Sequence, residues 1–382
     1  MNVHRVGVAG AGTMGAGIAQ LACLGDYETV LHDPQPEALE KGNHKLRTDL
    51  QKGAAKGLWT EDEAVAAGER LEQAASLDQL AGCDLVIEAA PERLQLKRAL
   101  FGRLEEICGQ ETILATNTSS LPVTEIAAEA RLPERICGMH FFNPPALMKL
   151  VEVVAGERSD ERSVQAVAEV AERMGRTAVR CTDSPGFIVN RCNRPFTLES
   201  VRVLDEGVAE AAAIDRVMRE DGGYPMGPFE LMDLIGIDVN LSVARSFYEQ
   251  RPIARWQPHP IQERMVAEGR LGRKTERGFY EYGPDGKVEP PATDLDPGLR
   301  REILERVVSQ LVNEASFAAG EGVAAPGDID AAMRLGLNHP RGPFEWEREL
   351  GTASVLAMLA SLHERTGDER YEPAPRLTGE AG

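Results

Sequence analysis

A histidine and a glutamate twelve residues apart, His140 and Glu152, are the residues in this sequence best suited to proton transfer. His140 follows a short apolar run and precedes the stiff Asn143-Pro144-Pro145 turn, while Glu152 lies within a second apolar run. These runs predict neighbouring strands that would point the carboxylate at the imidazole. An imidazole held in this way is a candidate general base near neutral pH. A structural polar contact is the alternative, and the surrounding elements must decide between the two.

A glycine-rich turn near the start of the chain predicts a dinucleotide site. The residues Gly10, Ala11, Gly12, Thr13, Met14 and Gly15 follow an apolar strand and open a helical run. The first glycine permits a tight turn, the second lets the backbone approach a pyrophosphate, and the third lets helix and strand pack closely. A second strand ends in Asp33, 18 residues after Gly15. Because a carboxylate there binds a ribose diol and repels a 2′-phosphate, the sequence favours NAD over NADP.

Polar residues follow a later predicted strand, at the sheet edge where open α/β sheets bind ligands. They are Asn117, Thr118, Ser119 and Ser120. Capping of a helix that starts near Val123 is an alternative role for the two serines. The two roles are compatible.

Positive charge is concentrated between residues 35 and 57 of an otherwise acidic chain. The five cations of this helical stretch are Lys41, Lys45, Arg47, Lys52 and Lys56. The whole chain has 42 Lys and Arg against 61 Asp and Glu, a net charge of -19, which argues against nucleic acid and anionic membranes as main partners. The stretch is either a solvated helix face or a surface for a phosphate-bearing substrate such as a coenzyme A thioester.

The order of predicted elements divides the 382 residues into several domains. Strands and helices alternate over residues 1–184, which predicts an α/β, Rossmann-type, NAD-binding domain. A Ser184-Pro185-Gly186 hinge follows, and beyond it the spacing is helical. We predict an all-α region, with a first helical copy and its connecting loop over residues 185–296 and a second copy with a tail over residues 297–382.

The all-α region contains an internal repeat. Residues 195–236 overlay residues 310–351 without a gap at an offset of 115, and 15 of the 42 positions are identical. Duplicated helical modules usually cover each other's apolar faces. Asn190 corresponds to Glu305, and the hinge has no counterpart, so the second copy is predicted to be structural.

The six cysteines are scattered and have no nearby histidine set, which predicts buried thiols and no metal site. No apolar run approaches the roughly 18 residues of a membrane span. The first residues lead directly into a strand. A cytoplasmic protein with no membrane association is therefore expected.

These motifs together resemble the L-3-hydroxyacyl-CoA dehydrogenase family over residues 3–351. The matching segments are Gly10 to Gly15 with Asp33, Glu88 to Glu92 with Lys97, Asn117 to Ser120, His140 to Pro144, Pro185 to Arg191 and Tyr224 to Phe229. The duplicated helical region is similar to long bacterial members linked to phenylacetate breakdown, which act on 3-hydroxyadipyl-CoA. Residues 338–343 followed by Trp346 carry that likeness.

The resemblance implies NAD-linked oxidation of an L-3-hydroxyacyl-CoA to the 3-oxoacyl-CoA, in fatty-acid or phenylacetate-type degradation. It implies that His140 is the base, that Glu152 orients it, and that Ser119 and Asn190 position the hydroxyl and thioester. It also implies a position for Lys56 near the coenzyme A phosphate. The residues implied at the cofactor are Glu92, Lys97 and Asn143 at the nicotinamide half and Lys274 on a later loop. Glu276 departs from the family pattern, which usually has glycine there.

Two other functions are compatible with parts of the pattern. One is a non-catalytic protein on the same scaffold, like the lens crystallin relative of the family, which the intact His140, Glu152, Ser119 and Asn190 disfavour. The other is a dehydrogenase of a free 3-hydroxy acid or sugar acid. A homodimer and a monomer with an intrachain pseudo-dimer are both compatible with the repeat.

Overall fold

The computed structural model describes residues 3–284, 286–288 and 293–379. It divides into two compact units, Met1–Phe187 and Ile188–Gly382. The first unit holds an eight-stranded sheet, and the second is mainly helical. The predicted fold class, a Rossmann-type α/β domain followed by an all-α region with an internal repeat, is confirmed. The domain bounds 1–184, 185–296 and 297–382 stay predictions.

The sheet of the first unit has the strand order β3-β2-β1-β4-β5-β6-β7-β8. Its strands are β1 Arg5–Ala9, β2 Glu28–His32, β3 Leu71–Ala74, β4 Leu85–Glu88, β5 Ile113–Thr116, β6 Ile136–Phe141, β7 Leu150–Ala155 and β8 Thr177–Thr182. The pairing is parallel except between β6 and β7, which run antiparallel. The strand order reverses direction at β1 and β4, and such a switch point opens a crevice at the carboxyl ends of the strands.

Helices cover this sheet, and several of them begin directly after the loops that carry polar side chains. They are α1 Thr13–Leu24, α2 Pro36–Ala55, α3 Glu61–Glu69, α4 Leu94–Ile107, α5 Val123–Ile126 and α6 Glu161–Arg173, with short 3-10 helices at Leu77–Leu80 and Pro133–Arg135. Local signals fix several of these ends. Asp160 caps α6 by accepting from the Ser163 amide, and Thr60 with Glu63 forms a capping box on α3.

The core of the first unit lies between this sheet and its helices. The strands supply fully buried side chains such as Val8, Ile87 and Met139, and α1 and α6 pack Ile18 and Val167 into the same cluster. Strands buried on both faces read as continuous apolar runs, which is why the central strands were recognisable in the sequence, whereas the partly exposed edge strand β3 was not predicted. This rigid sheet fixes the strand ends that carry the site.

The second unit is built from two sets of helices in the same order. The first set comprises α7 Val189–Cys192, α8 Arg194–Asp205, α9 Ala211–Glu220, α10 Pro228–Ile235, α11 Ile237–Gln250, the 3-10 helix Ala254–Trp256 and α12 Pro260–Ala267. The second comprises α13 Pro297–Gly320, α14 Pro326–Leu337, α15 Pro343–Leu350, α16 Thr352–Thr366, the 3-10 helix Glu369–Tyr371 and α17 Pro375–Thr378. The offset of 115 residues therefore extends well beyond the segment of detectable sequence identity.

The same local contact recurs in both sets. Asp215 accepts a hydrogen bond from the Phe229 amide at the start of α10, and Asp330 accepts one from the Phe344 amide at the start of α15. A Cβ on the preceding glycine, Gly227 in the first set, would lie within 2.4 Å of the aspartate. Glycine is required there because the aspartate occupies the side-chain space.

Some sequence expectations were wrong in detail. Pro91 is of a type favoured at the first position of a helix, which predicts a helix start at Pro91-Glu92, but α4 begins at Leu94, because residues 91–93 form the bend that carries Glu92. Residues 248–296 are rich in proline, glycine and charge, which predicts an irregular connection, and this prediction is wrong for part of the stretch. They contain α12, the 3-10 helix Arg273–Thr275 and a hairpin of β9 Glu281–Gly283 and β10 Gly286–Val288, while residues 285 and 289–292 of that stretch lie outside the described residues.

Candidate active site

His140 lies on β6 directly opposite Glu152 on the antiparallel strand β7. Residues directly opposite each other in such a pair point to the same face, so the strand register brings the two side chains together. The imidazole Nδ1 is 2.6 Å from Glu152 Oε2, and the side chains are 7% and 0% exposed. A proton on Nδ1 is donated to the carboxylate, which leaves Nε2 with the lone pair of a proton acceptor.

Aromatic rings and an amide fix the strand end around this imidazole. The rings of Phe142 and Phe187 lie 4.6 Å and 5.7 Å from the imidazole, centroid to centroid. The Phe141 amide donates to Asn117 Oδ1 at 2.8 Å, which ties the end of β6 to the end of β5. Sequence reasoning gave Asn117 no role of its own, although an amide directly after a buried strand was the available signal.

Glu92 organises the loop that follows β5. Its carboxylate accepts hydrogen bonds from the backbone amides of Ser119 and Ser120, and from the Thr118 hydroxyl. Burial raises the pKa of Glu92, but the charge of Lys97, 3.3 Å away, and these hydrogen bonds outweigh burial and leave the pKa below its usual value. Glu92 is therefore ionised at neutral pH. It holds the predicted residue Ser119 in place.

The alternative role of the two serines as helix caps is not observed. Helix α5 starts at Val123 after Pro122, and no side chain caps it. The Ser119 and Ser120 hydroxyls lie 3.4 Å and 3.1 Å from Glu92. Ser119 therefore contacts Glu92, 27 residues earlier in the chain, instead of capping the helix that follows it.

Lys97 is held by a carboxylate that sequence reasoning did not include among the site residues. Its ammonium donates to both oxygens of Glu88, at 2.7 Å and 2.9 Å, and the two side chains are 1% and 0% exposed. Glu88 also accepts from the Ala90 amide and from the Thr116 hydroxyl. Satisfied in this way, a buried ion pair fixes the ends of β4 and β5 relative to each other.

The glycine turn has the close contacts that a dinucleotide site requires. A Cβ on Gly15 would lie 1.8 Å from the Gly10 carbonyl oxygen, whereas a Cβ on Gly12 would meet nothing within 4 Å. Helix α1 begins at Thr13 without a side-chain cap, so its first amides border the open space above Gly12. Backbone amides at a helix N-terminus facing open space are suited to a pyrophosphate, and these residues fit NAD.

Asp33 follows β2 and is anchored to the same turn. One carboxylate oxygen accepts from the Ala11 amide at 2.9 Å, and the other accepts from the Gln35 amide at 2.9 Å. Each oxygen keeps a lone pair, because a carboxylate has about four acceptor positions. The side chain can therefore accept further hydrogen bonds from ribose hydroxyls.

The remaining predicted residues of the first unit are exposed. Asn143 lies in the turn after β6, where the Asn143-Pro144 peptide is cis, and Lys56 follows the last residue of α2. Among the neighbouring cations, Lys45 pairs with Asp49 one helical turn later. Part of the cationic stretch is thus a solvated helix face, and Lys56 lies at its end.

Asn190 and Lys274 belong to the second unit. Asn190 is half-buried on α7. Lys274 is 45% exposed and its ammonium lies 2.6 Å from both carboxylate oxygens of Asp238. Glu276, the departure from the family pattern, has a φ of 57°, in the left-handed region that glycine adopts without strain. The glutamate thus adopts a backbone conformation that favours glycine.

Other kinds of site find no support in the described part of the chain. All six cysteines are buried thiols. No group of three or more His, Cys, Asp or Glu suited to a metal ion occurs among the described residues. Within those residues, no helix combines the length and apolarity needed to cross a bilayer.

Family models match nearly the whole chain. The model described as the 3-hydroxyacyl-CoA dehydrogenase NAD binding domain matches residues 5–184, and the model of the C-terminal domain matches residues 186–282 and 303–379. The chain belongs to the 3-hydroxyacyl-CoA dehydrogenase family. The predictions of this family, of NAD as the cofactor and of dehydrogenase activity are thereby confirmed.

Individual members of the 3-hydroxyacyl-CoA dehydrogenase family resemble the chain over different lengths. The 3-hydroxyadipyl-CoA dehydrogenase of Escherichia coli K12 is 36% identical over 99% of this chain and 97% of its own. A probable 3-hydroxybutyryl-CoA dehydrogenase of Bacillus subtilis is 42% identical over 74% of this chain and 98% of its own. The crystal structure of 3-hydroxybutyryl-CoA dehydrogenase from Escherichia coli K12 covers 100% of this chain and 98% of its own, with a TM-score of 0.91 and 35% identity. Long and short members thus differ by roughly one helical copy.

Proposed function

We propose that the protein oxidises an L-3-hydroxyacyl-CoA to the 3-oxoacyl-CoA with NAD, and that His140 removes the hydroxyl proton. The observation that supports this most directly is the buried contact between His140 Nδ1 and Glu152, which leaves Nε2 as the acceptor. His140 lies near the end of β6, and the glycine turn follows β1 of the same sheet. A base and a dinucleotide turn on one sheet are what a dehydrogenase needs.

The chemistry requires a proton and a hydride to leave the same carbinol group. The hydroxyl proton passes to His140 Nε2, the carbon-hydrogen bond breaks with its electron pair, and the carbonyl double bond forms. The glycine turn and Asp33 would hold NAD, and the bound cofactor would supply the acceptor for that hydride. Glu152 stabilises the imidazolium that results, because a carboxylate in contact with Nδ1 offsets the new positive charge.

The other predicted residues are assigned to positioning. Ser119 and Asn190 hold the hydroxyl and thioester, and Lys56 binds the coenzyme A phosphate. At the cofactor, we assign Glu92, Lys97 and Asn143 to the nicotinamide half and Lys274 to the loop that reaches it. The hydrogen bonds that Glu92 accepts around Ser119 support this grouping, because they join a cofactor residue and a substrate residue in one network.

Finer assignments of the substrate, the location and pathway, and the oligomeric state belong with this proposal. The substrate is a thioester of a dicarboxylic acid, as the name of the full-length Escherichia coli relative says of that protein. We place the enzyme in the cytoplasm, in fatty-acid or phenylacetate-type degradation. We also propose that the second helical copy takes the place of a partner subunit, so that the protein works as a monomer.

Replacement of the base tests the mechanism. His140→Gln keeps a polar side chain of similar size but removes the titratable nitrogen, so kcat should fall by about 100- to 10,000-fold. The affinity for NADH, measured by fluorescence titration, should stay within about twofold, since the residue is assigned to the hydroxyl. A normal kcat in this variant would end the proposal.

Substrate choice separates the remaining alternatives. NADH oxidation should be fast with acetoacetyl-CoA and slow with free acetoacetate, because Lys56 is assigned to the coenzyme A part. Equal rates with the two would indicate a dehydrogenase of free acids. No reduction of either, nor of 3-oxoadipyl-CoA, despite NADH binding, would indicate a non-catalytic member of the family.

A further inference from the structure

A buried arginine in the helical unit has no carboxylate partner. Arg194, the first residue of α8, is 6% exposed. Its Nε donates to the carbonyl oxygen of Asn190 at 3.2 Å. The terminal nitrogen Nη1 is fully buried and has no hydrogen-bond partner among the described residues. The ring of Phe247 lies 5.7 Å from the guanidinium carbon.

Such an arrangement is energetically unfavourable unless an anion completes it. Burial lowers the pKa of Arg194 to about 10, so the group is still charged at neutral pH. A guanidinium presents its donors as a rigid planar fork, and the geometry of a carboxylate matches that fork. The ring of Phe247 and the carbonyl oxygen of Asn190 satisfy only part of the hydrogen-bonding capacity of the guanidinium.

Arg191, three residues earlier, shows that this unit does supply partners for its buried arginines. Its Nε donates to Glu314 at 2.9 Å, and its two terminal nitrogens donate to Glu321 at 3.0 Å. The corresponding residue of the second copy, Arg306, is paired in the same way with two glutamates. Arg194 is the exception among these three neighbouring or equivalent positions.

The helical fold itself does not require an arginine at this position. At the offset of 115 residues, the second copy has Ser309, which is buried to 1% exposure within α13. The second copy therefore builds the same helix without the charge. A costly residue present in one copy alone indicates a task specific to that copy.

The position of Arg194 indicates which task. Asn190 and Arg194 are direct neighbours, because the Arg194 Nε donates to the Asn190 carbonyl oxygen at 3.2 Å across the single residue that separates α7 from α8. The counterpart of Asn190 in the second copy is Glu305. Both residues of the pair are thus particular to the first copy, and we have assigned Asn190 to the hydroxyl and thioester end of the substrate.

We propose that Arg194 binds the terminal carboxylate of a dicarboxylic 3-hydroxyacyl-CoA. The proposal rests on the proposed function, and it gives the selectivity a physical origin. A short alkyl chain spans the distance from Asn190 to Arg194. The carboxylate then makes two parallel hydrogen bonds with Nη1 and Nη2 and neutralises the buried charge. A substrate ending in a methyl group leaves that charge unpaired.

Two substrates of equal length test the proposal. L-3-hydroxyadipyl-CoA and L-3-hydroxyhexanoyl-CoA differ only in the terminal carboxylate, and kcat/KM for each is read from NADH formation. The wild-type protein should prefer the adipyl thioester. In Arg194→Met the ratio of the two kcat/KM values should fall by about 10- to 100-fold, the range for a lost hydrogen bond to a charged group. Arg194→Lys keeps the positive charge but not the planar guanidinium, so its ratio should lie between those of the wild-type protein and Arg194→Met.

The control variant is Arg306→Lys, which alters a buried arginine of the second copy that has its own carboxylates. It should keep the wild-type ratio. The melting temperature of Arg194→Met should not fall, because removal of an unpaired buried charge is neutral or stabilising. The proposal is overturned if Arg194→Met keeps the wild-type ratio of the two kcat/KM values. It is also overturned if the variant melts at a lower temperature and loses kcat/KM equally for both substrates, because Arg194 would then have only a structural role.

The same assay separates this inference from the proposed function. If the wild-type protein oxidises the hexanoyl and adipyl thioesters equally well, the dehydrogenase assignment holds and the role of Arg194 is wrong. If it oxidises neither thioester, both are wrong.

Discussion

Buried ionisable side chains show how single residues couple this protein to pH. His339 follows α14 and is 8% exposed. Its ring lies 4.9 Å from the ring of Tyr224 and 5.7 Å from that of Phe196, both from the first helical copy. Burial lowers the pKa of His339 from 6.5 to about 3, so the folded protein keeps this imidazole neutral in mild acid.

This histidine should make the helical unit sensitive to acid. Below pH 6.5 the unfolded chain binds a proton at this position and the folded chain does not until about pH 3, so stability is lost as the pH falls through that interval. The loss amounts to about 1.4 kcal/mol per pH unit. His339→Phe should remove it. Urea unfolding of the wild-type and variant proteins between pH 7 and pH 5 measures the difference, and parallel curves would contradict this role.

At the scale of elements, the loops after β1, β4 and β5 carry most of the candidate site. Each loop is fixed by side chains that cross to a neighbouring strand end. Glu88 connects Lys97 to Thr116, and Asp33 holds the Ala11 amide. Buried carboxylates that satisfy several donors rigidify loops that would otherwise be mobile. The site is therefore positioned by the sheet and not by the loops alone.

The glycine turn allows a test that separates cofactor binding from folding. Gly12→Ala adds a methyl group to open space, so the melting temperature should change little while the Kd for NAD rises about tenfold or more, since the methyl group would occupy the pyrophosphate space. Gly15→Ala should lower the melting temperature as well, because its Cβ would lie 1.8 Å from the Gly10 carbonyl oxygen. Calorimetry measures both quantities. Unchanged NAD affinity in Gly12→Ala would place the pyrophosphate elsewhere.

At the scale of the second unit, the two helical copies are joined by reciprocal ion pairs of buried arginines. An arginine of each copy reaches two glutamates of the other, and the four glutamates also correspond at the offset of 115. The sets are Arg191 with Glu314 and Glu321, and Arg306 with Glu199 and Glu206. This reciprocity is the signature of an isologous interface, in which the same surface serves both sides. Here one chain provides both sides.

Loss of one of these arginines should weaken the unit considerably. Arg306→Met removes the closer of the two arginines that pair with Glu199, which is 2% exposed, and also the partner of Glu206, so we expect a loss of about 3 kcal/mol in the free energy of urea unfolding. Arg365→Met is the matched control, because its pair with Glu302 is half exposed. That variant should lose about 1 kcal/mol or less. Equal losses in the two variants would show that the buried pair has no special role.

Much of this organisation was accessible from the sequence. The glycine turn with Asp33, the buried strands and the internal repeat are patterns of neighbouring residues, and the backbone periods of helix and strand convert them directly into elements. The register of β6 and β7 that joins His140 to Glu152 also followed from two apolar runs joined by a stiff turn. Local geometry dictated these features, so local sequence revealed them.

Only the tertiary structure shows which charged side chains form ion pairs with each other. Nothing near Lys97 in the sequence identifies Glu88 as its buried partner over Glu92, and Arg191 lies 123 residues from Glu314. Arg191 and Arg194 look equivalent in the sequence, yet one is fully paired and the other is not. The reason is physical: the stability of a charge depends on which groups surround it after folding, and no periodicity along the chain encodes that environment.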